Sequence, residues 1–122
     1  MSKNSQVFNQ TLGLLDTLKE GLEHTNSLIV DGKGEEALEM IYDVLAGVES
    51  IISALSPLLE QLPANNLQVL EADMSDKFNK LIDIFKLNDG VLLISHLSSD
   101  LLPAFSEWKR EIEKLLMPYI LS

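Results

Sequence analysis

The sequence predicts an all-α protein, an up-down-up-down four-helix bundle with long helices and short links. Three observations carry that prediction. Apolar residues recur at alternating steps of three and four along most of the 122-residue chain, which is the spacing of one helical face. The breaks between these runs are short and turn-like: Asp31-Gly32-Lys33-Gly34, Leu62-Pro63 and Asn88-Asp89-Gly90. Links of that length fold consecutive helices back on one another. The stripe of the second helix is also wide enough that it must bury its face against more than one neighbour, whether the four stripes close within one chain or two chains pair long hairpins.

The first helix is expected over about residues 5–30. Phe8, Leu12, Leu15, Leu18, Leu22 and Ile29 form its stripe, with Leu14 and Leu28 beside it. Thr25 interrupts the core side, where a threonine bonds the carbonyl one turn back. Gly32 suits a left-handed helix end, and Gly34 opens the next helix with Glu35 and Glu36 at the favourable end of its dipole.

The second helix, about 35–62, has the strongest pattern. Leu38, Ile41, Leu45, Val48, Ile52, Leu55, Leu59 and Leu62 follow at steps of three and four, flanked by Ala37, Val44, Ile51 and Leu58. With 46% apolar residues overall, eight such positions are all apolar by chance roughly 0.2% of the time in a given register. Pro57 falls on the outward face, where it is expected to bend the helix without ending it.

The third helix, about 66–87, carries Leu67, Leu70, Met74, Phe78, Leu81 and Phe85 as its core row, with Asn65 and Gln68 spaced as a capping box. The fourth, about 91–117, reads as an unbroken heptad through Val91, Ile94, Ser98, Leu101, Phe105, Trp108, Ile112, Leu115 and Tyr119. Pro103 again falls outward. One domain over residues 1–122 accounts for the whole chain.

Composition removes several function classes. No cysteine is present, so disulfides and thiolate metal sites are excluded. The net charge is −10, from 19 acidic and 9 basic residues, which disfavours nucleic acid as a partner. The start, MSKNSQVFNQ, lacks the apolar stretch of a secretory signal. The apolar runs 91–97 and 115–121 fall well short of the roughly 20 residues a membrane helix needs. The expected setting is therefore cytoplasmic. The acids are unevenly placed: from Gly34 to Asp76 there is no lysine or arginine, while Glu35, Glu36, Glu39, Asp43, Glu49, Glu60, Glu71, Asp73 and Asp76 fall inside that span. Such a stretch serves solubility or steers a basic partner.

Chemistry is harder to find. A di-metal carboxylate centre needs Glu-x-x-His on two helices, yet Gly21 and Leu93 stand three residues before His24 and His96. Both histidines are expected to face solvent, with Glu20 and His24 the nearest approach to a metal pair. His96, Ser99 and Asp100 lie close together but lack a nucleophile elbow and an oxyanion pocket. Asp31-Gly32-Lys33-Gly34 lacks the phosphate-loop spacing. No cofactor, metal or catalytic residue is expected.

The segment Asp89-Gly90-Val91-Leu92-Leu93-Ile94-Ser95-His96-Leu97-Ser98-Ser99-Asp100-Leu101-Leu102-Pro103, followed by Trp108, resembles the last helix of small uncharacterised helical proteins from Gram-positive bacteria. There an acidic-Leu-aromatic-acidic-Leu rhythm leads into a proline and then a tryptophan. Here Ser99 stands at the aromatic position and Ser95 at an acidic one. The resemblance implies a bacterial cytoplasmic bundle and supplies no activity.

The functional expectation is a non-enzymatic protein-interaction module, a small acidic chaperone or adaptor. The alternatives are a purely structural homodimer or a bundle that binds a small ligand. Its candidate interface is the apolar surface of the fourth helix: Leu92, Leu93, Leu102, Trp108, Leu116, Tyr119, Ile120 and Leu121. Apolar chain ends must dock somewhere, and exposed apolar patches mark contact sites.

Overall fold

A computed structural model describes the backbone of residues 3–121 and the side chains of residues 5–120. The protein is an all-α four-helix bundle: α1 (Lys3–Val30), α2 (Gly34–Leu55), α3 (Leu67–Leu87) and α4 (90–121). A 3₁₀ turn, Ser56–Gln61, follows α2, and a π-turn, Leu97–Leu101, interrupts α4. No described helix is long and apolar enough to cross a membrane.

α1 ends as its sequence requires. Gly32 takes φ +77°, its N–H bonds the Ile29 carbonyl and the Lys33 N–H bonds Leu28. This pair of reversed bonds caps the last carbonyls, and glycine is the residue that adopts the left-handed turn without strain. Thr25 Oγ1 donates to the Gly21 carbonyl at 2.9 Å, so its hydroxyl is satisfied within the core.

α1 and α2 pack closely because glycine sits at their crossing points. A Cβ on Gly47 would lie 2.5 Å from Leu18 Cδ2, and one on Gly21 would lie 2.9 Å from Val44 Cγ2. These pairings run in opposite chain directions. So do Asp16 with Lys109 and Phe8 with Tyr119 between α1 and α4, and Glu71 with Trp108 and Asn66 with Glu111 between α3 and α4.

The α2 helix departs from the expected form in two ways. Its α-helical part stops at Leu55 rather than 62, because Pro57 cannot bond the Ser53 carbonyl and the chain tightens into a 3₁₀ turn. Its buried row also shifts at alternate positions, while Ile41, Val48 and Leu55 are buried as expected. Ala37, Ile41, Val44, Val48, Ile51 and Leu55 are buried, whereas Leu38, Leu45 and Ile52 are only partly covered. The face turns towards α1 and leaves its far edge thinly packed.

Capping of α3 also differs from the expected box. Asn65 Oδ1 accepts from the Leu67 N–H at 3.0 Å rather than from the Gln68 N–H that the box requires, and the Asn66 N–H donates to Glu111 Oε2 of α4 at 3.1 Å. That bond, opposed by burial and aided by Lys114 at 3.2 Å, holds the Glu111 carboxyl below its ordinary range. At its other end α3 closes on Asn88 at φ 56°.

The largest correction concerns α4. Asp89 caps its start by accepting from the Leu92 N–H at 3.0 Å. Upstream of the π-turn the buried residues are Leu93 and His96, and Val91 is 82% exposed; within the turn Leu97 is buried and Ser98 lies outside. Downstream, Leu101, Phe105, Trp108, Ile112 and Leu115 are buried as the heptad requires. The π-turn inserts one residue, so the upstream face falls one position earlier than an unbroken heptad places it. Pro103 is the physical cause. It has no N–H for Ser99, its ring crowds that carbonyl, and the wider turn accommodates both, with the Leu102 N–H reaching back to Leu97.

Trp108, Phe78 and Phe105 are the largest fully buried side chains, and they centre a core to which all four helices contribute.

Candidate functional site

His96 is the clearest departure from the expected surface chemistry. It is 3% exposed. Its Nε2–H donates to the Lys77 carbonyl of α3 at 2.8 Å, and Nδ1 meets Asp100 Oδ2 at 2.8 Å across the π-turn. Both ring nitrogens are thereby engaged. None is free to take a proton from Ser99, which faces solvent, so the trio does not form a nucleophile-base pair. The imidazole joins α3 to α4 at the point where α4 widens. His24 is exposed, as expected. Among the described residues no group of three or more acids and histidines is placed to hold a metal.

The expected interface on α4 divides. Trp108 and Leu116 are fully covered and Leu93 is buried, so these three belong to the core. The earlier part of α4 is turned by the π-turn, and Trp108 faces α3, where its Nε1–H lies 3.4 Å from Glu71 Oε2. Burial pushes the Glu71 carboxyl up, an effect only partly offset by that donor. Leu102 and Ile120 are partly buried against the core. Tyr119 packs edge-on to Phe8 at 5.5 Å and its hydroxyl donates to the Gln61 carbonyl at 3.5 Å. The apolar C-terminus therefore docks on its own bundle. The Leu121 side chain lies outside the described residues. Of the eight residues, Leu93 and Leu92 line open clefts, Leu92 the one between α3 and α4.

That cleft is one of two flanking the C-terminal half of α3, at the end of the bundle where the 31–33 and 88–89 links meet. The first, about 400 Å³, lies between α2 and α3 and is lined by Leu38, Tyr42, Ile82, Phe85 and Leu93, with Glu35 and Lys86 among its polar residues. The second, about 390 Å³, lies between α3 and α4 and includes Ile84, Leu87, Leu92, Ser95, His96 and Asp100. Leu87, Val91, Leu92 and Tyr42 are exposed around them. Leu92 and Leu93 belong to the expected interface, but Leu38 and Phe85 read as core rows, so periodicity alone does not reveal the cleft between α2 and α3. Only the rotation of α2 and the slip in α4 reveal which of them lack cover.

On α3 and α4, Asp73 pairs with Lys77, Asp83 with Lys86, and Lys109 bridges Asp16 at 3.1 Å and Glu113 at 2.7 Å. On α2, none of Glu35, Glu36, Glu39, Asp43 and Glu49 forms an ion pair with a described residue.

Fold and surface together define a small acidic helical bundle with apolar clefts at one end. The chain belongs to the family described as Domain of unknown function (DUF8042), which matches residues 6–111. No curated protein matches the chain.

Proposed function

We propose that the protein is a non-enzymatic protein-interaction module, a small acidic chaperone or adaptor of the cytoplasm, whose docking surface is the cleft-bearing end of the bundle. The observation that carries this reading is the incomplete cover of α2's far edge. Leu38 and Tyr42 face Ile82 and Phe85 across an open apolar cleft rather than a packed interface. Exposed apolar grooves between helices are a recurrent means of binding partner segments.

The test is affinity capture compared between the native protein and surface variants. Removing residues from Trp108 onward is unsuitable, because it takes out Trp108, Ile112, Leu115 and Leu116, all core residues. Tyr42→Glu and Leu92→Glu instead place a charge on exposed positions and spare the core. A protein retained by the native chain and lost with either variant, with circular dichroism unchanged, supports the reading. The resemblance of residues 89–103 to Gram-positive bundles makes a Gram-positive lysate the source to use. Equal retention by native and variant chains overturns the reading, as does a dimer in light scattering that Tyr42→Glu or Leu92→Glu dissociates.

A further inference from the structure

We infer that the α2–α3 cleft takes an amphipathic helix carrying lysine or arginine along the edge that meets α2. The inference rests on the interaction reading above and gives the occupant its chemistry.

The shape argument comes first. Leu38, Leu45 and Ile52 recur every seven residues along the edge of α2 away from Gly21 and Gly47, and all three are only partly covered. At 1.5 Å per residue that edge is roughly 21 Å long, about four helical turns. At its open end Leu38 and Tyr42 face Ile82 and Phe85 around a space of about 400 Å³. That suits a few apolar side chains presented at one-turn intervals, the pattern of a helix laid in a groove. Strand addition is unavailable, because the described residues form no sheet edge.

The charge argument selects the sign. Glu35 lines the cleft, and Glu39, Asp43 and Glu49 follow on the exposed surface of α2. None has a cationic partner among the described residues; Glu20, Glu23, Asp76 and Glu107 on the other helices share that state, and what sets the α2 group apart is its place beside the apolar cleft. The cation on the opposite wall, Lys86, is occupied by Asp83 at 3.6 Å. A cationic segment finds unpaired carboxylates beside the apolar floor. A second copy of this chain, at net charge −10, meets like charge instead.

The experiment titrates the isotopically labelled full chain with a designed peptide of about 14 residues, matched to the length of the edge. The peptide consists of leucine and lysine patterned for one apolar helical face, and its twin has glutamate in place of lysine. The expected result is saturable binding of the lysine peptide, with amide shifts confined to α2 and the C-terminal half of α3. Tyr42→Glu and, separately, Glu35→Lys with Glu39→Lys should each weaken binding at least tenfold, with the amide spectrum otherwise native. Shifts spread over the whole acidic surface, or affinity unchanged in both variants, overturn the inference. If the glutamate twin occupies the same cleft equally well or better, the charge assignment falls while the cleft remains a docking site. If neither peptide reaches the cleft, the interaction reading loses the cleft as well.

Discussion

The two sides of α2 meet their neighbours in opposite ways. Towards α1, Gly21 and Gly47 remove every side-chain atom at the crossing points, and Val44 and Leu18 fill the space. Towards α3, Leu38 and Tyr42 are large, yet they face Ile82 and Phe85 across an open cleft. Large apolar residues do not by themselves make a tight interface. Where two helix axes approach, the small residues decide, and α2 has spent its small residues on one side. The open side follows from that choice, since a helix of fixed diameter cannot approach both neighbours equally closely.

The contrast can be tested by how much each side tolerates. Trp108→Ala sets the scale for the shared core and should cost about 3–5 kcal/mol, read as a loss of urea stability. Gly47→Val should cost about 2–3 kcal/mol, because its branched carbon meets Leu18. Gly13 is the control: nothing lies within 4 Å of a Cβ there, so Gly13→Ala should gain about 0.5–1 kcal/mol through helix propensity alone. Equal responses at the two glycines would remove the closed side of the comparison.

Glu71→Gln tests the core's polar edge through pH. Burial raises the folded-state pKa of Glu71, so its favourable contribution is present when it is protonated and is lost as pH rises through the folded value. Glutamine keeps an acceptor for Trp108 and removes the buried charge. The variant should therefore be more stable at pH 7, by less than about 1 kcal/mol given solvent screening. The advantage should disappear at pH below the ordinary carboxylate range, as read from urea midpoints at both pH values. Tyr42→Ser, on the open side, should change stability by no more than about 0.5 kcal/mol. A larger loss would mean that the α2–α3 face contributes to the core.

Much of the architecture was legible in the residues themselves. Gly32, Thr25, the short links and the strong period of α2 located the helices, because each depends on local geometry. What sequence could not supply was rotation. Leu38 and Ala37 are both apolar and adjacent, and only Gly47's approach to Leu18 decides which of their two rows turns inward. The alternation from Val91 to Tyr119 reads as one heptad because a π-turn changes residue spacing without changing residue type. Pro103 is the visible signal, but an outward-facing proline predicts a bend as readily as a π-turn. The same slip carried Leu93 and His96 from the surface into the core. The cleft between α2 and α3 is hidden for a related reason: Leu38 and Phe85 are apolar at core spacing, and nothing in the chain says that the neighbouring helix stands away.

The π-turn also gives α4 a place where length can change without penalty to the core. A π-turn holds one residue more than an α-turn, so deleting Ser98 together with Pro103→Ala would let the helix run regularly. Leu93 and Leu97 would then align with Leu101 and Phe105 as they do now. The same single deletion elsewhere in residues 90–121 would rotate one half of the helix against the other by about 100°, carrying core leucines into water. Insertions and deletions are usually absorbed by loops. Here a helix interior has that latitude at a single site, beside a buried histidine and an open cleft.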